Sequence, residues 1–430
     1  MKFAGDYLDR HALRDALIRT APDPGLQQIV TIPVYNESGL TRCLDSLFLC
    51  PPSHPVTEVI LLLNTPEGAA AEIIQQNRHT LREVRSWITS HTRNGLRFHP
   101  LLLEGLSARD AGVGLARKLA MDEAVRRFMA AGNPHGIMLS LDADTVVEPT
   151  YLSAVHHHLP GGARDGCTVA FSHPLSGDDH PHEVYDAVAR YELHQRYYLA
   201  AVRSTGYPHA FHTVGSAFAV TLQAYCAMGG MNRRQGGEDF YFIQKVAGRG
   251  RFSECHTTTV HPSPRPSARV PFGTGPAIRR QLDRSGEPYL TYHPGPFRML
   301  RQCFRACLAS GAAPGTPAIP RECDPLLSGY LEATGFPEAM ETIRRNVASQ
   351  ETFEKRFWQH FNMFRILKFL HYAAEHGYRG VPVEEASRAL LHGLPGRSLP
   401  EESSDTVSML RYFRALEKKQ GGNPPAPPAR

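Results

Sequence analysis

Short, almost continuously apolar runs alternate with helical stretches in the first third of the chain, and this alternation constrains the fold most strongly. Residues 28–34 (QIVTIPV) and 56–63 (VTEVILLL) show little of the polar and apolar alternation of a half-exposed strand. Such runs are typical of parallel strands that are covered on both faces. Further runs at residues 96–103 and 137–141 each follow a predicted helix. The pattern predicts a doubly wound α/β domain with right-handed crossovers.

Two carboxylates, Asp142 and Asp144, stand one residue apart at the end of the fourth apolar run. Side chains alternate between the faces of a strand, so both carboxylates are expected to point the same way. Like charges on one side repel each other unless a cation lies between them. Mg²⁺ or Mn²⁺ suits such an oxygen pair, and such ions usually also bind substrate phosphates. The alternative is an ordinary strand end that precedes a helix beginning at Pro149.

The composition argues against several classes of protein. The 430 residues are 42% hydrophobic, and the net charge of +5 is no signature of a nucleic-acid-binding protein. Eight cysteines without a Cys-x-x-Cys pair argue against structural zinc and fit a reducing cytoplasm. The N-terminus does not resemble a signal peptide, and the longest aliphatic run, residues 59–63, is too short for a transmembrane segment. A cytoplasmic protein is therefore expected.

Four segments are expected along the chain. Residues 1–24 are predicted to form an N-terminal helical segment that docks on the main domain, because apolar residues recur there near helical spacing. Residues 25–280 are assigned to the α/β domain and residues 281–420 to a helical C-terminal region. The tail, residues 421–430, is too polar and proline-rich to fold.

An aromatic stripe in the C-terminal region has two readings. It comprises Phe353, Phe357, Phe361, Phe364 and Leu367. With basic residues nearby, such a stripe can rest on an anionic membrane, which would make the protein membrane-peripheral. A packed core helix is the other reading.

Three motifs occur in one order: TIPVYNES at residues 31–38, DAD at 142–144, and GGMNRRQGGEDFYF at 229–242. Together they resemble a family 2 glycosyltransferase over roughly residues 28–270. The resemblance implies a GT-A fold, which is Rossmann-like, with a mixed, mostly parallel sheet flanked by helices. It also implies a donor that is a nucleoside-diphosphate sugar, and a hydroxyl acceptor on a glycan, a lipid-linked molecule or a small molecule.

The resemblance places the nucleotide base beside the turn after the first strand. It assigns Pro33, Tyr35 and Glu37 there, and Asn64 after the second strand. Glu37 can accept hydrogen bonds from a base N–H or from ribose hydroxyls, and Tyr35 offers an aromatic face. The alternative is a strand-to-helix cap by a neighbouring polar side chain.

The resemblance also implies a diphosphate site. Arg117 and Lys118, in the helix start that follows Gly112 and Gly114, resemble the part of the family that lies along the diphosphate. A solvated basic turn is the equal alternative. Asp142 would face the ribose and the metal, and Asp144 would ligate the metal.

Two later segments are predicted to complete the site. His261 follows a strand at a place where many GT-A enzymes supply a third metal ligand, although a structural histidine is the commoner case. Arg265 and Arg269 lie in a proline-rich loop that can close over the diphosphate with bidentate phosphate contacts. A rigid surface loop is the alternative for these two residues.

Glu238 and Asp239 match the family's acidic pair at the start of a helix beneath the acceptor. An inverting transfer needs a general base for the acceptor hydroxyl, and the family's usual base implies Asp239 for that role. Glu238 would hold the acceptor, or the two roles would be exchanged. Helix N-terminal acids favoured by the helix dipole are the alternative.

The predicted function is a metal-dependent glycosyltransferase of the hexosyltransferase type, inverting, with Mn²⁺ or Mg²⁺ as cofactor. A retaining GT-A transferase and a nucleotide-sugar-binding protein without turnover remain alternatives. A sugar-1-phosphate nucleotidylyltransferase needs a glycine-rich, basic signature at the first strand, and residues 32–39 (IPVYNESG) lack it.

Overall fold

The computed structural model describes residues 1–107, 111–313, 316–393 and 405–420. The chain divides into two compact units, the first formed by residues 1–184 and 213–279 and the second by residues 185–212 and 280–430. Residues 185–212, which the sequence analysis assigned to the α/β domain, thus belong to the second unit. The predicted tail at residues 421–430 lies outside the described residues.

The first unit is built on an eight-stranded sheet within the described residues. Its strands are β1 (Gln28–Val34), β2 (Thr57–Pro66), β3 (Leu96–Leu106), β4 (Ile137–Ser140), β5 (Thr145–Val147), β6 (Gly166–Phe171), β7 (Phe218–Thr221) and β8 (Phe252–Pro262). The spatial order is β3-β2-β1-β4-β7-β6-β8-β5. Strands β3, β2, β1 and β4 run parallel, as do β6 and β8, whereas β7 pairs antiparallel with β4 and β6, and β5 pairs antiparallel with β8. The predicted mixed, mostly parallel sheet flanked by helices is confirmed.

Helices of the first unit cover both faces of this sheet. They are α1 (Lys2–His11), α2 (Leu40–Phe48), α3 (Ala71–Ser90), α4 (Val113–Ala130), α5 (Tyr151–His158), α7 (Leu222–Ala227) and α8 (Glu238–Ala247), with a 3₁₀ turn at Pro160–Gly162. Helices α6 (His182–Ser204) and α9 (Thr274–Asp283) span the sequence boundaries between the two units.

Alternate residues of β1 enter two separate cores, as the period of a strand requires. Val30 and Ile32 pack with α2, α3 and α5, and Ile29 packs with α4, α7 and α8. Both faces of the strand are therefore buried, which is why its sequence is apolar almost throughout.

The N-terminal helix is shorter than predicted, because α1 ends at His11. The amides of Leu17 and Ile18 donate to the carboxylate of Glu123 in α4, at 2.9 and 3.1 Å. Those donors would be occupied by carbonyls in a continuing helix, so this segment is anchored as irregular chain instead. Tyr7 fixes α1 itself on α4, through a 2.6 Å hydrogen bond to Asp122.

The second unit is mainly helical within the described residues. It contains α10 (Pro294–Ser310), α11 (Pro325–Ala333), α12 (Phe336–Arg345), α13 (Gln350–His360), α14 (Met363–Glu375), α15 (Val383–His392) and α16 (Thr406–Gln420), with a short pair of strands, β9 (Leu290–Thr291) and β10 (Val381–Pro382).

The aromatic stripe of the second unit forms part of its core. Phe353, Phe357 and Phe361 are at most 1% exposed, and the stripe is broken between α13 and α14. Phe353, Phe357 and Phe361 are therefore core residues, as the second reading expected, whereas Phe364 is 37% exposed. Peripheral membrane contact stays a prediction.

None of the helices within the described ranges combines the length and the apolar character that crossing a bilayer requires.

Candidate active site

The two carboxylates of the DAD motif lie in a tight turn between β4 and β5. The amide of Thr145 donates to the carbonyl of Asp142 at 3.1 Å, which closes the turn. Ala143 points into the core and is 6% exposed, whereas the side chains of Asp142 and Asp144 are 38% and 31% exposed. The turn therefore presents both carboxylates to solvent at the carboxyl end of β4, where open α/β sheets bind ligands.

Arg117 joins the DAD turn to the acidic pair of α8. Its guanidinium is 1% exposed and donates to Asp142 Oδ1 at 2.6 Å and to Glu238 Oε1. Burial disfavours the charge, but the carboxylates of Glu238, Asp142 and Asp239 outweigh it and raise the pKa of Arg117. Arg117 thus balances the charge of two buried or half-buried carboxylates, instead of projecting as the predicted diphosphate ligand.

Lys118 does not reach this site. Its ammonium lies 2.9 Å from Asp122 Oδ2 and 3.1 Å from the hydroxyl of Tyr7, in a buried cluster between α1 and α4. Adjacent residues on a helix point about 100° apart, so Arg117 and Lys118 face different surroundings. The assignment of Lys118 to nucleotide binding is therefore not supported by its position.

The glycines before α4 serve close packing. A Cβ atom at Gly114 would lie 2.2 Å from the carbonyl oxygen of Arg234, and one at Gly112 would lie 2.9 Å from Cα of Gln235. The segment that precedes Glu238 thus lies directly on the start of α4. This packing brings the predicted diphosphate turn and the predicted base together, but it covers the turn with protein.

Glu37 accepts hydrogen bonds from two arginines of the loop at residues 263–273, hereafter the arginine loop. Arg265 forms a bidentate pair with Glu37, at 3.0 and 2.7 Å, and Arg269 approaches the same carboxylate at 3.0 Å. Arg265 also lies 3.4 Å from Asp144. Burial opposes ionisation of Glu37, but the arginines outweigh it and lower the pKa of Glu37.

The surroundings of Asp144 disfavour its ionised form. Desolvation, followed by the charges of Asp142 and Glu37, raises the pKa of Asp144 to about 6 despite the two arginines. The carboxylate oxygens of the turn are ligands that suit a divalent cation. Among the described residues, no group of three or more His, Cys, Asp or Glu side chains is arranged to hold a metal.

His261 is not grouped with the two aspartates. Its Nδ1 lies 3.1 Å from both the hydroxyl and the carbonyl oxygen of Ser172, and its Nε2 lies 3.8 Å from Glu148. His261 is opposite Val146 in the antiparallel pairing of β5 with β8. These contacts tie β8 to the residues that follow β6 and β5. A metal-ligand role for His261 stays a prediction.

Asn77, which no sequence motif indicated, connects the loop after β1 to the end of β2. It is fully buried, accepts from the amide of Asn36 at 2.9 Å, and donates to the carbonyl of Asn64 at 3.1 Å and to the hydroxyl of Thr65 at 2.9 Å. Asn36 has a φ of 48°, in the left-handed region, and this contact supports it. The available signal was an amide side chain on the same face of α3 as Leu81 and Val84.

The remaining predicted base ligands differ in exposure. Pro33 is buried within β1, opposite Leu62 of β2, so it shapes the strand and is not presented to a ligand. Tyr35 is half-buried at the strand end, and its carbonyl accepts from Arg269 at 2.9 Å. Asn64 is 3% exposed beneath the same loops.

Glu238 and Asp239 have different environments although they are adjacent. Glu238 is 3% exposed and paired with Arg117, whereas Asp239 is half-buried at the start of α8. Desolvation and then the charge of Glu238 raise the pKa of Asp239 to about 7. A Cβ atom at Gly215 would lie 3.1 Å from Asp239 Oδ2 and 2.9 Å from Arg117 Nη2, so this glycine leaves room for both groups.

The comparisons with known proteins gave structural neighbours only. No protein-family model matches the chain, and no curated protein matches it. The structural neighbours are GT-A fold glycosyltransferases, the class that the sequence motifs resemble. One is S. aureus TarS 1–349 in complex with UDP-GlcNAc, with 14% identity, a TM-score of 0.40, and coverage of 82% of this chain and 92% of that chain. A second TarS 1–349 structure matches over 55% of this chain and 60% of its own length, with 15% identity and a TM-score of 0.37.

Another neighbour is the mannosyltransferase PcManGT from Pyrobaculum calidifontis, in complex with GDP-Man and Mn²⁺. It shares 16% identity, and the match covers 98% of this chain and 93% of that chain with a TM-score of 0.36.

Proposed function

We propose that this chain is a metal-dependent, inverting glycosyltransferase of the hexosyltransferase type, which moves a sugar from a nucleoside diphosphate to a hydroxyl group. The observation that carries the proposal is the position of Arg117. It bonds to Asp142, on the side suited to a cation and a diphosphate, and to Glu238, the neighbour of Asp239. Arg117, a single buried group, thereby joins the carboxylate turn that we propose for the donor to the start of the helix that carries the candidate base.

The donor is proposed to lie over the carboxyl ends of β1, β2 and β4. Tyr35 and Glu37 would face the base and ribose, since their turn ends β1 and offers an aromatic ring and a carboxylate. Arg265 and Arg269 would exchange part of their contact with Glu37 for the diphosphate, because guanidinium groups bind phosphate in a bidentate manner.

Asp144 and Asp142 would hold a divalent cation, Mn²⁺ or Mg²⁺, with further ligands coming from the diphosphate and water. When bound, the cation neutralises charge on the leaving nucleoside diphosphate. The chain itself contributes the orientation of the carboxylates. Arg117 contributes to it by donating a hydrogen bond to Asp142.

Asp239 is proposed as the general base and Glu238 as its positioning neighbour. The acceptor oxygen forms a bond to the anomeric carbon while its proton passes to Asp239. The bond from that carbon to the diphosphate breaks, and its electron pair leaves with the nucleoside diphosphate. Glu238 is already committed to Arg117, whereas Asp239 is half-exposed and has a pKa of about 7, which suits a base near neutral pH.

A thermal-shift panel of nucleoside diphosphates, with and without Mn²⁺, tests the proposal. A ligand that binds the native state raises the melting temperature by mass action. We expect one nucleoside diphosphate to stabilise the protein only with Mn²⁺, and Asp144→Ala to abolish that shift. Asp23→Ala is the matched control, because its side chain is also 31% exposed and it precedes β1 at the opposite end. No shift with any nucleoside diphosphate would refute the proposal.

A further inference from the structure

Phe272 is the most exposed aromatic side chain among the described residues. It lies in the arginine loop and is 67% exposed. Single exposed apolar side chains are common on protein surfaces, and Leu49 at the end of α2 is comparably exposed, at 69%. The exposure of Phe272 alone therefore does not indicate a binding role. Its position beside the candidate active site does.

The arginine loop contacts both halves of the candidate active site. Arg265 and Arg269 attach it to Glu37 on the donor side. Further along the loop, Pro271 and Phe272 lie against Gly236, where a Cβ atom would be 3.1 Å from Pro271 Cγ and 3.5 Å from Phe272 Cδ2. Gly236 precedes α8, whose second residue is the proposed base, Asp239. The exposed ring thus stands beside the turn that carries the base.

We infer that Phe272 binds the acceptor, and that the acceptor hydroxyl belongs to a sugar ring. This inference rests on the proposed function and adds a substrate class to it. A pyranose has a face of C–H groups that can cover an aromatic ring, while its hydroxyls remain around the rim. A ring beside the base would hold one such face and leave a hydroxyl free to approach Asp239.

The surroundings of Phe272 favour a sugar over an alkyl chain. A long alkyl chain needs a contiguous apolar surface, since its binding scales with the apolar area removed from water. Phe272 instead shares its loop with Arg265 and Arg269 and faces a glycine turn that follows the exposed Arg234 and Gln235. The other large exposed apolar side chains of the first unit's described residues, Met1, Leu13 and Leu49, belong to the N-terminal segment and to the end of α2.

The test compares Phe272→Ala, Phe272→Trp and Leu49→Ala with the wild-type protein. Binding of methyl glycosides of common hexopyranoses, and of 1-hexanol as an alkyl probe, is titrated by ligand-detected NMR with Mn²⁺ and the stabilising nucleoside diphosphate. Nucleoside diphosphate affinity is measured separately by calorimetry. We expect Phe272→Ala to weaken glycoside binding by roughly 3- to 10-fold, the range of an aromatic contact, with unchanged nucleoside diphosphate affinity. Phe272→Trp and Leu49→Ala should retain glycoside binding.

Three results would overturn the inference while leaving the proposed function intact. These are wild-type protein that binds nucleoside diphosphate but no glycoside, equal glycoside binding by Phe272→Ala and wild type, and preferential binding of 1-hexanol that Phe272→Ala removes. Wild-type protein that binds no nucleoside diphosphate would instead remove the proposed function, and the inference with it.

Discussion

Arg117 donates a 2.6 Å hydrogen bond to Asp142 from a position that is 1% exposed. The same guanidinium pairs with Glu238, which is also buried. A buried charge is tolerated when it is paired, and the removal of one partner leaves the other uncompensated. Arg117 is therefore required for the structure of the site, because it pairs with Asp142 and Glu238.

The first prediction concerns this arginine. Arg117→Met should destabilise the protein by about 3–5 kcal/mol, because Glu238 would remain buried without its cation. Urea unfolding measures the loss. The matched control is Arg78→Met, which removes an exposed pair with Glu104 and should cost far less stability, because solvent screens that pair. Similar losses in both variants would contradict the buried-pair interpretation, and recovery of stability in Arg117→Met with Glu238→Leu would support it.

The sequence was informative where the signal is local. The apolar runs of β1 and β2 predict buried strands, and the spacing of Asp142 and Asp144 around an apolar residue predicts two carboxylates on one side. The role of Arg117 could not be read in this way, because its partner Glu238 is 121 residues away. Nothing in the pair Arg117-Lys118 indicates which cation faces the site, since that depends on which side of α4 meets the sheet.

Other differences have the same physical origin. The helical spacing of residues 1–24 continues past His11, but tertiary hydrogen bonds from Leu17 and Ile18 to Glu123 compete with the helix and prevail. His261 is predicted to follow a strand but lies within β8, whose pairing with β5 leaves its ring beside Ser172 and Glu148. Strand pairing and loop closure set these outcomes, and neither is encoded in a short motif.

The second prediction concerns Asn77. Asn77→Ala should destabilise the protein by roughly 1–3 kcal/mol, because it removes a donor to the carbonyl of buried Asn64 and the acceptor of the Asn36 amide. It should also weaken nucleoside diphosphate binding, since the same side chain holds the loop that carries Tyr35 on the end of β2. Denaturation and calorimetry on one preparation measure the two effects. The control is Gln76→Ala, whose longer contact to the Glu37 carbonyl is 3.4 Å. Unchanged affinity in Asn77→Ala would show that the loops are held by other contacts.

The third prediction concerns pH and Asp239. A general base acts only when deprotonated, so kcat/KM should fall about tenfold per unit as pH drops below the pKa of about 7. Asp239→Asn should retain donor affinity, lose roughly 100- to 10,000-fold in turnover, and lose this pH dependence. Glu238→Gln should keep a pH limb but move it to lower pH, because the charge of Glu238 helps to raise the pKa of Asp239. A wild-type profile that is flat through neutral pH would remove Asp239 from the proton transfer.

The same pKa makes a separate prediction for stability. The folded-state pKa of Asp239 is raised above the ordinary value of 3.8. Ionisation of Asp239 in the folded protein therefore lowers the free energy of unfolding. Its contribution is fully present below pH 3.8 and is lost as pH rises through 7. Asp239→Asn should therefore gain stability relative to wild type at pH 8 compared with pH 5, as measured by denaturation at both values. An unchanged difference would argue against a raised pKa.

The last prediction concerns the arginine loop as a movable cover. Without ligand, Arg265 and Arg269 hold the loop on Glu37, a side chain that is 2% exposed. Glu37→Gln removes the charge that both arginines share, so the loop should open more often and trypsin should cut after Arg269, which precedes Val270, faster than in wild type. Nucleoside diphosphate with Mn²⁺ should slow cleavage in the wild type, because the diphosphate supplies a new partner, as for active-site lids. Cleavage after Arg284, whose side chain is 71% exposed outside the loop, serves as the internal control.

Arg265→Ala and Arg269→Ala should weaken binding of the nucleoside diphosphate more than that of the nucleoside, since the lost partner is phosphate. Ligand-independent cleavage, together with wild-type diphosphate affinity in both arginine variants, would show that the loop is a fixed surface segment.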